Sequence, residues 1–161
     1  MAITALPFRM AGDRRDRPIY RMTYEVKIEK PPIWNDICFA FGIIPQKVLF
    51  TYGDTIYNPD NVKIPDDIIE HEKVHMEQQN HNVNDAALWW GKFLRDPAFR
   101  VDQESKAYAV QYRFVCKFVT DRNQRFNFRM ELARLLSGPL YGNSISQKDA
   151  EKLIYKLSGV K

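Results

Sequence analysis

Hydrophobic and polar positions change rhythm along this chain. From residue 19 to 29 they alternate, with Tyr20, Met22, Tyr24, Val26 and Ile28 on one side and Arg21, Thr23, Glu25, Lys27 and Glu29 on the other. Period two predicts a half-buried strand. Pro31 and Pro32 stop it, and residues 34–41 read as a short helix opened by Asn35 or Asp36. Residues 47–52 and 55–57 read as two more strand segments around Gly53-Asp54, a pair that suits a tight hairpin turn.

Beyond Pro65 the rhythm turns helical. No Gly or Pro interrupts residues 66–84, Asp67 and Glu70 have the spacing of a capping box, and Ile68, Ile69, Val74 and Met76 offer apolar surface. Residues 86–94 are apolar on most sides, up to the break at Asp96-Pro97. A long helix is expected over 102–120, with Ala107, Tyr108, Val110, Gln111, Phe114, Val115 and Phe118 on its broad face. Another is expected over 122–136, ended by Ser137-Gly138-Pro139. Ser146 with Asp149 opens a last one, whose Ala150, Leu153, Ile154 and Leu157 form a stripe up to Gly159. Strands first and helices after predict an α+β domain over residues 19–161: a small N-terminal antiparallel sheet packed on a mainly helical part, with the 66–84 helix at its centre. Residues 1–18 show neither period and are rich in arginine, which predicts a mobile arm.

Composition narrows the class. At 161 residues one core is expected, and 45% hydrophobic with 13% aromatic residues excludes a disordered chain. Cys38 and Cys116 make no framework and read as buried thiols of a reducing compartment. MAITALPFRM is broken by Pro7 and Arg9, and no apolar stretch reaches bilayer length. A cytoplasmic protein without a membrane partner is the expectation. The net charge of +4 is too mild to imply nucleic acid by itself. One stretch is more basic: Arg113, Lys117, Arg122, Arg125, Arg129 and Arg134 face only Asp121 and Glu131, with Phe114, Phe118, Phe126 and Phe128 interleaved. A solvated helix face explains such charge most simply, and a nucleic-acid contact is the alternative.

Chemistry concentrates at His71, Glu72 and His75, a His-Glu-x-x-His that takes two of the three histidines in the chain. On a helix, residues four apart share a face, so both imidazoles can reach one metal ion, and Glu72 sits beside it. A catalytic zinc takes three protein ligands, so one more is needed. Glu104 and His81 are the candidates; Asp85, Asp96 and Asp102 are weaker substitutes. His81 falls where the metzincin pattern HExxHxxGxxH has its third histidine, but Gln78 stands in the glycine position. An uninterrupted helix would lift His81 by about 9 Å along the axis, at 1.5 Å per residue.

Glu104, with Ala107, makes a Glu-x-x-Ala on a later helix. Together with HExxH this resembles the gluzincin branch of zincin-like metallopeptidases, and HExxHxxQQ followed by ExxAY is similar to small examples encoded by phages and bacteria. The resemblance implies a Zn²⁺ ion held by His71, His75 and Glu104, with Glu72 activating a zinc-bound water to hydrolyse a peptide or protein substrate. It implies a substrate lying along an edge strand in the 47–57 region. The family often has an aspartate where Tyr108 stands, so Tyr108, Gln111 or a backbone carbonyl would orient the zinc histidine here. Tyr141, in a Gly/Pro-rich loop, is a candidate oxyanion donor, with a core-covering tyrosine as the simpler reading. The rival class is a non-catalytic, zinc-braced structural or assembly protein, for which His81 or Asp85 would complete four ligands.

Overall fold

Strands and helices separate along the chain as the pattern predicts. The computed structural model describes residues 24–42 and 44–161, together with the backbone of residues 2–3. Its strands are β1 (Ala2–Ile3), β2 (Glu25–Lys27), β3 (Val48–Tyr52) and β4 (Thr55–Tyr57). Its helices are α1 (Trp34–Phe41), α2 (Asp66–Gln78), α3 (Val83–Arg95), α4 (Pro97–Val115), α5 (Arg122–Leu136) and α6 (Gln147–Ser158), with a 3-10 turn at Pro139–Tyr141. The architecture is α+β, mainly helical with a small sheet. Apart from Ala2–Ile3, the expected arm over 1–18 lies outside the described residues, as does the 19–23 part of the first expected strand.

The sheet order is β1-β3-β4-β2. Gly53, at φ +60°, makes the turn between β3 and β4, which pair antiparallel with Thr51 opposite Ile56. At the far edge β2 pairs parallel with β4, so the sheet is mixed where an antiparallel one was expected. The segment through α1 supplies the long crossover that a parallel pair needs. Alternation over β2 also predicted a buried face, but among the described residues of that face only Tyr24 meets the core beside Leu49, Ile56, Ile68 and Met76. Val26 and Ile28 remain exposed, because this edge strand pairs over just three residues.

α2 is buried along Ile68, His71, Glu72, His75 and Met76, one helical stripe. Three of those five positions are polar. The stripe lies between β3 and α4, and α4 in turn packs against α3, α5 and α6. Ala107, fully buried, keeps α4 narrow at this level. Trp90, Phe93, Tyr108, Tyr112, Leu132, Leu136 and Ile154 fill the larger core behind it.

Two helix ends differ from expectation, each for a local reason. α4 begins at Pro97, not near Asp102, because Asp96 caps it by accepting from Phe99 N–H at 3.0 Å and proline suits the first turn. It ends at Val115, and Phe118 lies outside it, half exposed. α2 ends at Gln78 rather than continuing to 84. Asn80 N–H donates to Glu77 C=O and His81 N–H to Met76 C=O, a Schellman closure in which Asn80, at φ +50°, takes the place usually given to glycine. Asn82 then caps α3.

Gln79 ties this closure to the hairpin. Its buried amide accepts from Gly53 N–H at 2.8 Å and donates to Thr51 C=O at 3.1 Å, and Trp90 Nε1–H donates to the same carbonyl at 2.9 Å. Gln79→Leu leaves a buried N–H unpaired, and should lower stability by about 1–3 kcal/mol in chemical denaturation.

Candidate metal centre

The polar part of the α2 stripe meets α4 directly. Because α4 starts at Pro97, Glu104 is its eighth residue and faces α2 with no exposure; a solvated acid at a helix start is not what stands there. His71 Nε2 lies 3.2 Å from His75 Nε2 and 3.3 Å from Glu104 Oε2, and His75 Nε2 lies 3.6 Å from Glu104 Oε1. Among the described residues this is the only group of three or more such side chains able to hold a metal ion. Four ligands at 2.0–2.1 Å around a tetrahedral zinc are separated by about 3.3 Å. The two spacings from His71 Nε2 fit that cage, and His75 Nε2 lies nearest the other Glu104 oxygen.

Protons on the imidazoles can be assigned from their neighbours. His71 Nδ1 faces Gln111 Oε1 at 3.2 Å, and Gln111 is oriented by donating its Nε2–H to Asp67 Oδ2 at 2.8 Å. His75 Nδ1 faces Gln78 Oε1 at 2.8 Å, and Gln78 is oriented by donating to Gln103 C=O at 3.0 Å. A carbonyl-type oxygen at each Nδ1 requires an N–H there, which leaves a lone pair on each Nε2. Two nitrogen lone pairs and a carboxylate therefore converge on one point. Mutual repulsion is relieved only by a cation or a proton, and this donor set matches that of a zinc site.

The rings are held from outside as well. Tyr108 meets His71 edge-on at 4.8 Å, and Trp89 leans on His75 at 5.5 Å while donating its Nε1–H to Gln103 Oε1. Burial holds His75 below the ordinary imidazole range, which favours the neutral ligand form. Burial alone would raise Glu104, yet positive charge around it holds it well below the usual carboxylate range. Tyr141 is fully buried, its hydroxyl 3.1 Å from that of Tyr108. Burial and then the Glu104 charge push it well above the usual phenol range, so it stays protonated. It is at once a core residue and a neighbour of the centre.

Glu72 is fully buried and accepts from Thr51 Oγ1 at 2.6 Å. Burial would raise its pKa, but positive charge around it, helped by the Thr51 hydroxyl, holds it below the usual carboxylate range. Thr51 carried no motif; its only sequence signal is a hydroxyl within the buried run VLFT. Asp67 was expected to cap α2 and instead orients Gln111, the cap position being Pro65 with no side-chain bond.

His81 is turned away. Its Nδ1 pairs with Asp54 at the hairpin tip, 2.5 Å away, and its backbone is left-handed at φ +52°. The separation from the centre thus arises from a chain reversal, not from an uninterrupted helix. Asp85 accepts from Asn80, Asp96 caps α4, and Asp102 bonds Gln103 and Lys106, so none of these joins the group. The four-ligand set with His81 or Asp85 is likewise not assembled. The expected substrate edge differs too. β3 and β4 each have neighbours on both sides, and Thr51 C=O is already taken by Gln79 and Trp90.

Comparison of the chain with family models, with curated proteins and with solved structures finds no match in any of the three. No helix among the described residues is long and apolar enough to cross a membrane.

If the group holds zinc, Gln111→Leu should weaken that binding about 10–100-fold in competition with a chromogenic chelator while the fold is kept. His75 gives the pH dependence a sign. The unfolded chain takes a proton near the ordinary value of 6.5 and the folded chain only below it, so the metal-free protein should lose stability as pH falls below 6.5. Thermal melts in the presence of a chelator from pH 8 to pH 5 check this.

Proposed function

We propose that the protein is a zincin-like metallopeptidase in which His71, His75 and Glu104 hold Zn²⁺ and Glu72 is the general base for peptide-bond hydrolysis. The observation that carries this reading is the convergence of three lone-pair donors with a fully buried carboxylate on the same helical stripe. Three ligands from the described residues, rather than four, is the count that catalytic zinc sites use.

When bound, the ion supplies Lewis-acid charge that polarises a scissile carbonyl and acidifies water. Glu72 takes the proton of the attacking water and delivers it to the departing amine. Thr51 donates its hydroxyl to one Glu72 oxygen at 2.6 Å and so orients the carboxylate. Gln111 and Gln78 keep both imidazoles in the tautomer that ligates through Nε2. The Tyr141 hydroxyl, protonated beside Glu104, is the side-chain donor nearest in kind to what a developing oxyanion needs.

One observation favours a second reading. His71, Glu72, His75 and Glu104 are each no more than 1% exposed, which suits a metal that braces the fold. A substrate reaches such a centre only if covering segments move.

Glu72→Gln separates the two. On the hydrolytic reading the variant keeps near-stoichiometric zinc and loses cleavage of a peptide library by at least about 100-fold. Full activity in that variant would refute the base assignment. Stoichiometric zinc with no cleavage by either protein, together with unfolding on chelation, assigns the ion a structural task.

A further inference from the structure

Charge is unevenly distributed along the chain, and the excess gathers away from the metal centre. Residues 112–161 hold ten basic and four acidic side chains, a net +6, whereas residues 1–111 hold fourteen basic and sixteen acidic, a net −2. Where α4, α5 and α6 meet, this surplus surrounds a cavity of about 300 Å³. Four of its lining residues are cations, Arg122, Arg125, Arg129 and Lys161, and none is acidic.

These cations are not equivalent. Arg129 is neutralised by Glu151 at 2.5 Å and donates to Tyr112 Oη at 2.9 Å, so it is part of the wall. Its guanidinium lies 4.3 Å from the Tyr155 ring centre and 5.7 Å from that of Phe126, which fixes both rings beside the cavity. Arg125 donates only to the Val119 and Cys116 carbonyls, so no acid balances its charge. Arg122 and Lys161 have no hydrogen-bond or ion-pair partner among the described residues. Phe126 and Tyr155 remain 50% and 40% exposed. Arg122 and Arg125, which no acid balances, and the Lys161 ammonium, beside two half-exposed rings on a concave surface, form a recognition site for an anion that carries a flat ring.

We propose that this cavity binds a nucleotide unit of single-stranded nucleic acid, its phosphate held by Arg122, Arg125 and Lys161 and its base stacked on Phe126 or Tyr155. A phosphate with an aromatic base satisfies both halves of the site, and stacking on an exposed ring tolerates any base. The surplus charge extends over α5 and α6 well beyond one phosphate, which suits a strand more than a free nucleotide. The site is independent of metal and of hydrolysis.

The test is fluorescence anisotropy with a labelled 12-nucleotide single-stranded DNA of mixed sequence and the zinc-loaded full chain. Three phosphate contacts predict a log–log salt slope of about −2, a roughly 20-fold weakening between 50 and 200 mM salt. Arg122→Glu and Phe126→Ala should each weaken binding about tenfold, while Lys63→Glu, the same charge reversal at an exposed loop position before α2, should change it less than twofold. Arg122 is exposed and unbonded, and glutamate is favourable in a first helical turn, so the variant keeps its fold. Adenosine monophosphate that fails to displace the strand at 100-fold excess assigns the site to the polymer; displacement at equal concentration assigns it to free nucleotides and overturns the strand. No binding at 50 mM salt, variants that bind like the unmodified chain, equal loss in Lys63→Glu, or equal affinity for an acidic phosphopeptide overturns the site.

Discussion

Two nitrogen lone pairs and a carboxylate, buried within 3.6 Å of one another, repel each other in a medium that screens poorly. Everything around the α2–α4 contact serves to hold them there. α2 presents its polar residues where a core-facing helix ordinarily presents leucines, and α4 answers with Glu104 and a small Ala107 one turn on. Tyr108 and Trp89 confine the rings, and two glutamines fix which nitrogen bears hydrogen. Such an arrangement is costly without a cation and would be favourable with one, so any ion bound here would stabilise the fold.

Within the sheet, β3 carries the hydrogen bonds that reach Glu72, Gln79 and Trp90. β3 brings Thr51 to Glu72 by its side chain and gives its carbonyl to Gln79 and Trp90. The hairpin, the end of α2 and the middle of α3 are thereby joined at one residue. The base of the proposed reaction is oriented by an element from the opposite layer, and its position depends on the register of β3 with β4.

Much of this was legible because it depends on spacing. The four-residue step from His71 to His75 and the Glu-x-x-Ala at Glu104 and Ala107 are properties of a helix, and they place donors on one face whatever the rest of the chain does. Strand and helix order followed from a change of period at Pro65. The ends of helices did not, since Asn80 closes α2 by a left-handed conformation that asparagine permits without announcing, and Pro97 opens α4 where it was read as a break. The roles of Thr51, Gln78 and Asp67 were illegible for another reason. Each acts through a hydrogen bond across 21 to 44 residues of chain or through a rotamer, and no local pattern encodes such a pairing.

The choice of neutral amides behind both imidazoles has an electrostatic outcome. A carboxylate in the place of either glutamine would add a negative charge behind its ligand. With Gln111 and Gln78 there instead, the formal charges of Glu104, Glu72 and a divalent ion, were one bound, would sum to zero within a fully buried volume. An electroneutral cluster can be enclosed by aromatic rings without counterions from solvent, and less of the ion's field is cancelled by its own surroundings. The centre is thus suited to depth, and an ion bound there would be a stronger acid than one held by carboxylate-backed ligands.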